Sequence, residues 1–171
     1  MVLSGGFPWY YRENLTKANT RNTILGSVGF DYGLVDKRTG RLVDSRESHI
    51  TSCCLYLIKD YIEATSLLKA RYDMTIFNPN KFRHDPHIDL NHPDFLSVIL
   101  YMNDSDGETV IFEEKCYNTD QVECMTNLTV KKSVEPKSNR LLVFNGHYLH
   151  TGHSPSKTNK RILLNSVYGK N

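Results

Sequence analysis

The chain has 171 residues, 39% hydrophobic and 23% charged, which is the size and composition of one globular domain. Six Pro and ten Gly exclude a collagen-like repeat and a disordered chain. Lys+Arg 21 against Asp+Glu 19 gives a formal net charge of +2, which excludes a strongly basic nucleic-acid scaffold and an acidic tail.

The N-terminal MVLSGGFPWY has no charged stretch followed by an apolar one, so no secretory signal is expected. No apolar run approaches the roughly 18 residues of a membrane span. The four cysteines are Cys53, Cys54, Cys116 and Cys124, with no CxxC and with two of them adjacent. That suits neither a zinc knuckle nor a disulfide framework, so the expected compartment is the reducing cytoplasm.

Residues 7–19 (FPWYYRENLTKAN) form an aromatic lead-in expected to dock on the body. Residues 29–46 are Gly- and charge-rich, and Gly33–Val35 and Arg41–Val43 flank a KRTG turn at 37–40, which predicts a hairpin. Over 53–70, Leu55, Ile58, Tyr61, Ile62, Thr65 and Leu68 recur at helical spacing, which predicts a helix. Short apolar runs then follow at 72–77, 95–102, 109–113, 128–134, 140–145 and 161–168. Strands so spaced predict an antiparallel sandwich or barrel, with the helix covering one outer face. Residues 114–127 are a long polar connection; with 31–50 they are candidate lips or lids.

His84, His87, His147 and His150 lie in or near apolar strand contexts. His87-Ile88-Asp89 is an H-x-D. On an extended backbone, residues i and i+2 share a face, so one imidazole and one carboxylate can hold one ion with Ile88 turned away. His150, after the strand RLLVFN and a short turn, is the candidate third ligand. Two His and one Asp leave three octahedral positions open, the pattern of non-haem Fe(II); a structural zinc site would close them. Lys160-Arg161 opens the last apolar run. An Arg entering a core strand is costly unless it meets an anion, and its planar fork suits a carboxylate.

These residues resemble the Fe(II)/2-oxoglutarate-dependent dioxygenases of the prolyl-hydroxylase-like branch. HIDLNHPDFLSVILYMNDSDGETVIFEE (87–114) is similar to that family's H-x-D, aliphatic strand and G-G-E-T segment, and RLLVFNGHYLHTGHSP (140–155) to its R-L-L-x-F…H segment. FPWYY and HTG resemble small oxygenases encoded by bacteriophages. The implied fold is mainly β: a single domain, 1–171, with the lead-in, hairpin and supporting helix in 1–71 and a double-stranded β-helix, or jelly roll, in 72–168.

Position by position, the resemblance implies His87, Asp89 and His150 as Fe(II) ligands. Arg161 would pair with the distal carboxylate of 2-oxoglutarate, joined by the Tyr101 hydroxyl. Thr109 and Ile99 would line the co-substrate pocket, and Asn165, four residues after Arg161, would point the same way. O2 and accessory ascorbate complete the implied cofactors. The implied activity is hydroxylation of a prolyl or other peptidyl side chain, with succinate and CO2 as co-products. The substrate is a peptide or a polar small molecule, with no membrane or nucleic acid involved, in a host-cell cytoplasm if the chain is phage-encoded.

The chain departs from the pattern at Phe77, where many relatives have a Tyr, and at Asp106-Gly107, where Gly-Gly is usual. Asp89 is intact, against the halogenating branch. Val167 stands where nucleic-acid demethylases carry a second Arg, against nucleobase repair. His147 and His153 compete with His150 as ligands, and His84 and His92 bracket the H-x-D. Three other readings stay open: a jelly-roll module that binds 2-oxoglutarate or another carboxylate without turnover, a zinc hydrolase on the same residues, which lacks an H-E-x-x-H base, and a structural phage protein that shares the jelly-roll fold.

Overall fold

Side chains alternating across extended segments build two facing sheets. The computed structural model describes residues 1–13, 15, 28–36, 38–124 and 127–170. Among these the order is β1 (Tyr10–Arg12), β2 (Gly29–Gly33), α1 (Arg46–Tyr61), β3 (Ser66–Ile76), β4 (Phe95–Tyr101), β5 (Thr109–Lys115), β6 (Val130–Val134), β7 (Leu141–Asn145), β8 (Tyr148–Gly152) and β9 (Lys160–Gly169). A six-stranded sheet runs β1-β2-β3-β9-β4-β7 and a three-stranded sheet runs β6-β5-β8. All pairings are antiparallel. Val134 of β6 meets Ile99, Tyr101 and Leu163 of the larger sheet between the two layers. This is the mainly β jelly roll expected, with one helix outside it.

β9 shows why the larger sheet forms. It lies between β3 and β4, and its interior is buried on both faces, so it reads as a nearly continuous apolar run. Ile162 and Leu164 pack with Leu55 of α1, and the Tyr168 hydroxyl donates to the Leu55 carbonyl at 2.9 Å. The alternate residues Arg161, Leu163 and Asn165 face the space between the sheets.

The helix differs from its predicted span. Ser45 caps it, its hydroxyl accepting from the Ser48 amide at 3.1 Å, and α1 ends at Tyr61 rather than at residue 70. Its buried side is Ser48, Thr51, Leu55 and Ile58, while Tyr61 is 80% exposed. Glu63 takes a positive φ of 54°, which stops the helix, and 66–70 belong to β3, paired with β9. The barrel strands therefore begin at Ser66, not at residue 72. The apparent helical spacing of Ile62, Thr65 and Leu68 is a chance continuation into a strand that alternates with period 2.

The hairpin forms as a Val35–Leu42 bridge, although Lys37 of its turn, like residues 14 and 16–19 of the lead-in, lies outside the described residues. β1, β2 and β8 are strands absent from the prediction; each is short, and β8 carries the polar residues His150 and Thr151. The expected lid at 31–50 is instead built into the body, with Leu34 and Val35 buried and the start of α1 included. In 114–127, a 3₁₀ turn spans Thr119–Cys124, and Asn91 Oδ1 accepts from the Thr119 amide at 2.8 Å. Cys53, Cys54 and Cys116 are free thiols. Among the described residues, no helix is long and apolar enough to cross a membrane.

Asp106, the departure from Gly-Gly, has a structural role. Its carboxylate accepts from the Ser156, Lys157 and Thr158 amides and from the Ser156 and Thr158 hydroxyls, all at 2.9–3.2 Å. This fixes the turn that launches β9 and so aims Arg161. Burial opposes its ionisation, but the hydrogen bonds from Ser156, Lys157 and Thr158 hold its pKa well below the usual carboxylate range. A carboxylate with a depressed folded pKa contributes stability above its unfolded value of about 4 and loses it as the pH falls further. Asp106→Ala should therefore cost about 2 kcal/mol at neutral pH, or about 4–8 °C in Tm. In thermal melts the gap to wild type should hold steady at pH 6–8 and close below about pH 4.

Candidate active site

The H-x-D segment is placed by backbone pairing. His87 and His150 form an isolated antiparallel bridge, with His87 N–H donating to the His150 carbonyl at 3.0 Å and His150 N–H to the His87 carbonyl at 3.1 Å. Side chains directly opposed in such a pair lie on one face, and the two imidazole centroids are 4.5 Å apart. Ile88 turns the other way into a cluster with Val110, Phe112, Cys116 and Leu149. Asp89, two residues on, returns to the histidine face. One ligand atom from each of His87, Asp89 and His150 lies within 4.8 Å of the others.

Both imidazoles are oriented from behind. His87 Nδ1 is 3.0 Å from the Asp85 carbonyl and His150 Nδ1 3.2 Å from the Tyr148 carbonyl, so each Nδ1 carries the proton. That leaves each Nε2 as a lone-pair donor toward a common point. Burial first, and then the neighbouring His150, lowers the His87 pKa to about 3, so the ring is neutral at physiological pH. Burial also lowers that of His150.

Asp89 is tied to the larger sheet. The Ser97 hydroxyl donates to its Oδ2 at 2.7 Å, and Lys69 Nζ and Asn165 Nδ2 approach its Oδ1 at 3.2 and 3.3 Å. Burial would raise its pKa, but Lys69, His150 and His87 with the Ser97 hydrogen bond hold it well below the usual value. The carboxylate is thus ionised before any cation arrives. Because Ser97 fixes the oxygen nearest His150, Ser97→Ala should weaken Mn(II) or Co(II) binding about tenfold in a calorimetric titration.

Arg161 stands in the same cavity with His87, His150, Thr109, Ile99 and Asn165. It is 5% exposed, its Nε has no hydrogen-bond partner, and no carboxylate lies within ion-pair distance of it among the described residues. Its Nη2 donates to Thr109 Oγ1 at 2.7 Å, and the Tyr101 hydroxyl donates to the same oxygen at 2.7 Å. Having accepted twice, Thr109 Oγ1 has its own proton left to offer to a ligand. Tyr101, wholly buried, acts behind Thr109 rather than on the cavity surface. Close backbone approach makes room for the guanidinium. A Cβ on Gly152 would sit 3.1 Å from Arg161 Nη1, and one on Gly107 would sit 2.4 Å from the His153 carbonyl oxygen.

The competing histidines separate. His147 is held between the Cys116 and Pro93 carbonyls, away from the triad. His153 lies 3.7 Å from Glu108, and His92 Nδ1 is 2.9 Å from the Asp94 carbonyl. His84 does line the cavity, with Nδ1 unpartnered among the described residues; burial and then Arg161 push its pKa down to about 4.

The sequence reading missed the wall made by β3. Arg71, Asp73 and Thr75 line the cavity, and Lys69 reaches Asp89 from the same strand. The signal was present as polar residues at every second position of KARYDMT, and it was hidden by assigning 66–70 to the helix.

A family model described as the 2OG-Fe(II) oxygenase superfamily matches residues 70–168. Among solved structures, the chain is similar to a 2OG-Fe(II) oxygenase family oxidoreductase from Burkholderia pseudomallei, with TM-score 0.61 and 15% identity over 84% of this chain and 67% of that one. It is similar to the non-heme alpha-ketoglutarate-dependent epimerase SnoN of nogalamycin biosynthesis, with TM-score 0.59 and 12% identity over 85% of this chain and 62% of that one. It also resembles a prolyl hydroxylase from Trichoplax adhaerens in complex with a hypoxia-inducible-factor peptide fragment, with TM-score 0.56 and 14% identity over 83% and 63%. The chain thus spans about two thirds of the length of these structures. No curated protein matches it.

Proposed function

The chain belongs to the 2OG-Fe(II) oxygenase superfamily, and from that membership we propose that it hydroxylates a side chain, prolyl or another peptidyl residue, with Fe(II) and 2-oxoglutarate. It is an oxygenase, hence an oxidoreductase. The observation that carries the finer reading is Arg161, a buried cation with no carboxylate within ion-pair distance among the described residues, in one cavity with the two imidazoles that cluster with Asp89.

The residues present fit both groups. Two neutral Nε2 donors and one ionised oxygen suit Fe(II) and leave coordination positions open. His87, Asp89 and His150 would hold the ion. Arg161 and the Thr109 hydroxyl would hold the distal carboxylate, with Tyr101 fixing Thr109. When bound, the metal and co-substrate supply oxygen activation coupled to decarboxylation of 2-oxoglutarate to succinate and CO2. The chain's own part is orientation. Lys69, Ser97 and Asn165 set the Asp89 carboxylate, the Asp85 and Tyr148 carbonyls set the imidazoles, and the buried walls exclude water.

The peptidyl substrate is supported by the prolyl-hydroxylase-like segments at 87–114 and 140–155. Val167, wholly buried, stands where a nucleic-acid demethylase would carry an Arg, against a nucleobase substrate. The phage-like segments FPWYY and HTG support a host-cell cytoplasmic setting, and accessory ascorbate belongs to the same reading.

The test is anaerobic titration of Fe(II) and 2-oxoglutarate into metal-free protein, followed by admission of O2. A weak visible charge-transfer band and then O2-dependent succinate are expected. A band with no succinate under any substrate would favour a binding module; zinc-dependent hydrolysis with no band would overturn the oxygenase chemistry proposed for these residues.

A further inference from the structure

The helix α1 is apolar on two sides. Its inner side packs on the larger sheet, where Leu55 meets Ile162 and Leu164 and Ile58 meets Val98 and Tyr168. Its outer side carries Ile50, Cys53, Tyr56, Leu57 and Tyr61, all exposed. Leu57 is 68% exposed, and Tyr61 more so. A helix that only covers a barrel turns charged and polar residues to water, whereas one that is apolar all round belongs in an interior. The outer side of α1 is therefore a surface without its cover.

Charge on this side has a direction. At about 100° per residue, Arg46, Ile50, Cys53, Leu57 and Asp60 fall on one stripe opposite Leu55. The apolar residues are central, and the two charges sit at the ends, about four turns apart. Arg46 in the first turn and Asp60 in the last each have the less favourable sign for their end of the helix dipole. Lys59 comes within 3.6 Å of Asp60, but the Asp60 side chain is 75% exposed, so its carboxylate stays open to a further cation.

We propose that this face is a homodimer interface, on which a second copy of the chain packs its own α1 antiparallel across a twofold axis beside Cys53. That axis sets Arg46 opposite Asp60 of the second copy at both ends, and Ile50 opposite Tyr56. Each misplaced charge then meets its opposite. A parallel pairing would set Arg46 against Arg46 and Asp60 against Asp60, so charge selects the antiparallel one. A stripe that complements itself only when reversed is what a twofold contact requires. The 16-residue helix is about 24 Å long, so the paired faces bury about 1,000 Å² in all, at the lower limit for a specific interface. The dimer is therefore reversible, with a Kd of about 1–100 μM. The face points away from the barrel, and the proposal rests on no feature of the cavity.

The experiment is sedimentation of the full chain in reductant, from about 1 to 500 μM, a span that brackets that Kd. Wild type should pass from monomer to dimer. Leu57→Glu should weaken self-association about tenfold or more. Arg46→Asp should weaken it about fivefold, and Arg46→Asp/Asp60→Arg should restore it. These side chains are exposed, and Tm recorded on the same samples separates lost pairing from lost fold. In the concentrated wild type, a short bismaleimide should give a covalent dimer that Cys53→Ser removes. A monomer at every concentration overturns the proposal and leaves the face to a different partner. A dimer that persists unweakened in folded Leu57→Glu, or a covalent dimer that survives Cys53→Ser, places the contact elsewhere and overturns it as well. The wild-type series decides even where a variant does not fold.

Discussion

Asp89→Ala is expected to abolish metal binding at the site and, with it, the anaerobic Fe(II)–2-oxoglutarate band. Asp89 supplies the only carboxylate of the triad, and two neutral imidazoles alone bring no charge to offset a divalent cation. Loss of groups that merely orient a ligand typically costs 10–100-fold in metal affinity; loss of the ligand itself should exceed about a hundredfold. The same substitution leaves Lys69, whose side chain is 13% exposed, without its carboxylate partner. Stranding one half of a buried pair costs about 3–5 kcal/mol. Metal-free Asp89→Ala should therefore melt lower than metal-free wild type. The pair Lys69→Met/Asp89→Ala should recover much of that loss while still failing to bind Mn(II) in a calorimetric titration. A single variant that binds Mn(II) as wild type does would remove Asp89 from the ligand set.

The barrel was legible because its strands obey simple patterns. β4 and β9 are central, buried on both faces and bounded by turn residues, so they stand out as apolar runs. β8 was not legible, because a strand with His150 inward and a bridge to the H-x-D segment spends its polar residues on the site. β3 was partly misread as helix for a related reason. Its inward face is Lys69, Arg71, Asp73 and Thr75, while the apolar alternates Ala70, Tyr72 and Met74 pack outward in the cluster with Leu55 of α1, the reverse of a strand whose apolar face fills the barrel. Where local pattern and tertiary role disagree, the disagreement marks the functional wall of the barrel.

The clustering of His87, Asp89 and His150 was legible from H-x-D and the strand preceding His150, since two-residue spacing dictates a shared face. The groups that hold it were not. Ser97 is eight residues from Asp89, Asn165 is 76 away, and Lys69 is 20 away on a strand assigned to the helix. Only the three-dimensional pairing of β3, β9 and β4 brings them to one carboxylate. Tyr101 shows the same limit. Its place beside Arg161 was implied by resemblance, but its action through Thr109 depends on which hydroxyl the register puts in front.

Arg161→Met should separate stability from function most sharply. Among the described residues no carboxylate lies within ion-pair distance of the buried guanidinium, and burial lowers its pKa from the usual arginine value, more than Tyr101, Asp73 and Glu108 raise it. Methionine keeps much of the apolar stem without the charge. Replacing such a charge by an apolar group of similar length is often neutral or stabilising by about 1–4 kcal/mol. Ligand-free Arg161→Met should then melt no lower than wild type. Binding moves the other way. A buried, hydrogen-bonded charge pair truncated on one side loses about 2–5 kcal/mol, so 2-oxoglutarate affinity should fall about a hundredfold or more. With Mn(II) present and 2-oxoglutarate at about 100 times the wild-type Kd, wild type should gain about 2.7 kcal/mol, or about 5–10 °C. Arg161→Met should gain less than half of that under the same conditions, and Arg161→Lys should fall between, keeping the charge but not the fork. An equal thermal shift in wild type and Arg161→Met would show that the carboxylate is held elsewhere in the cavity.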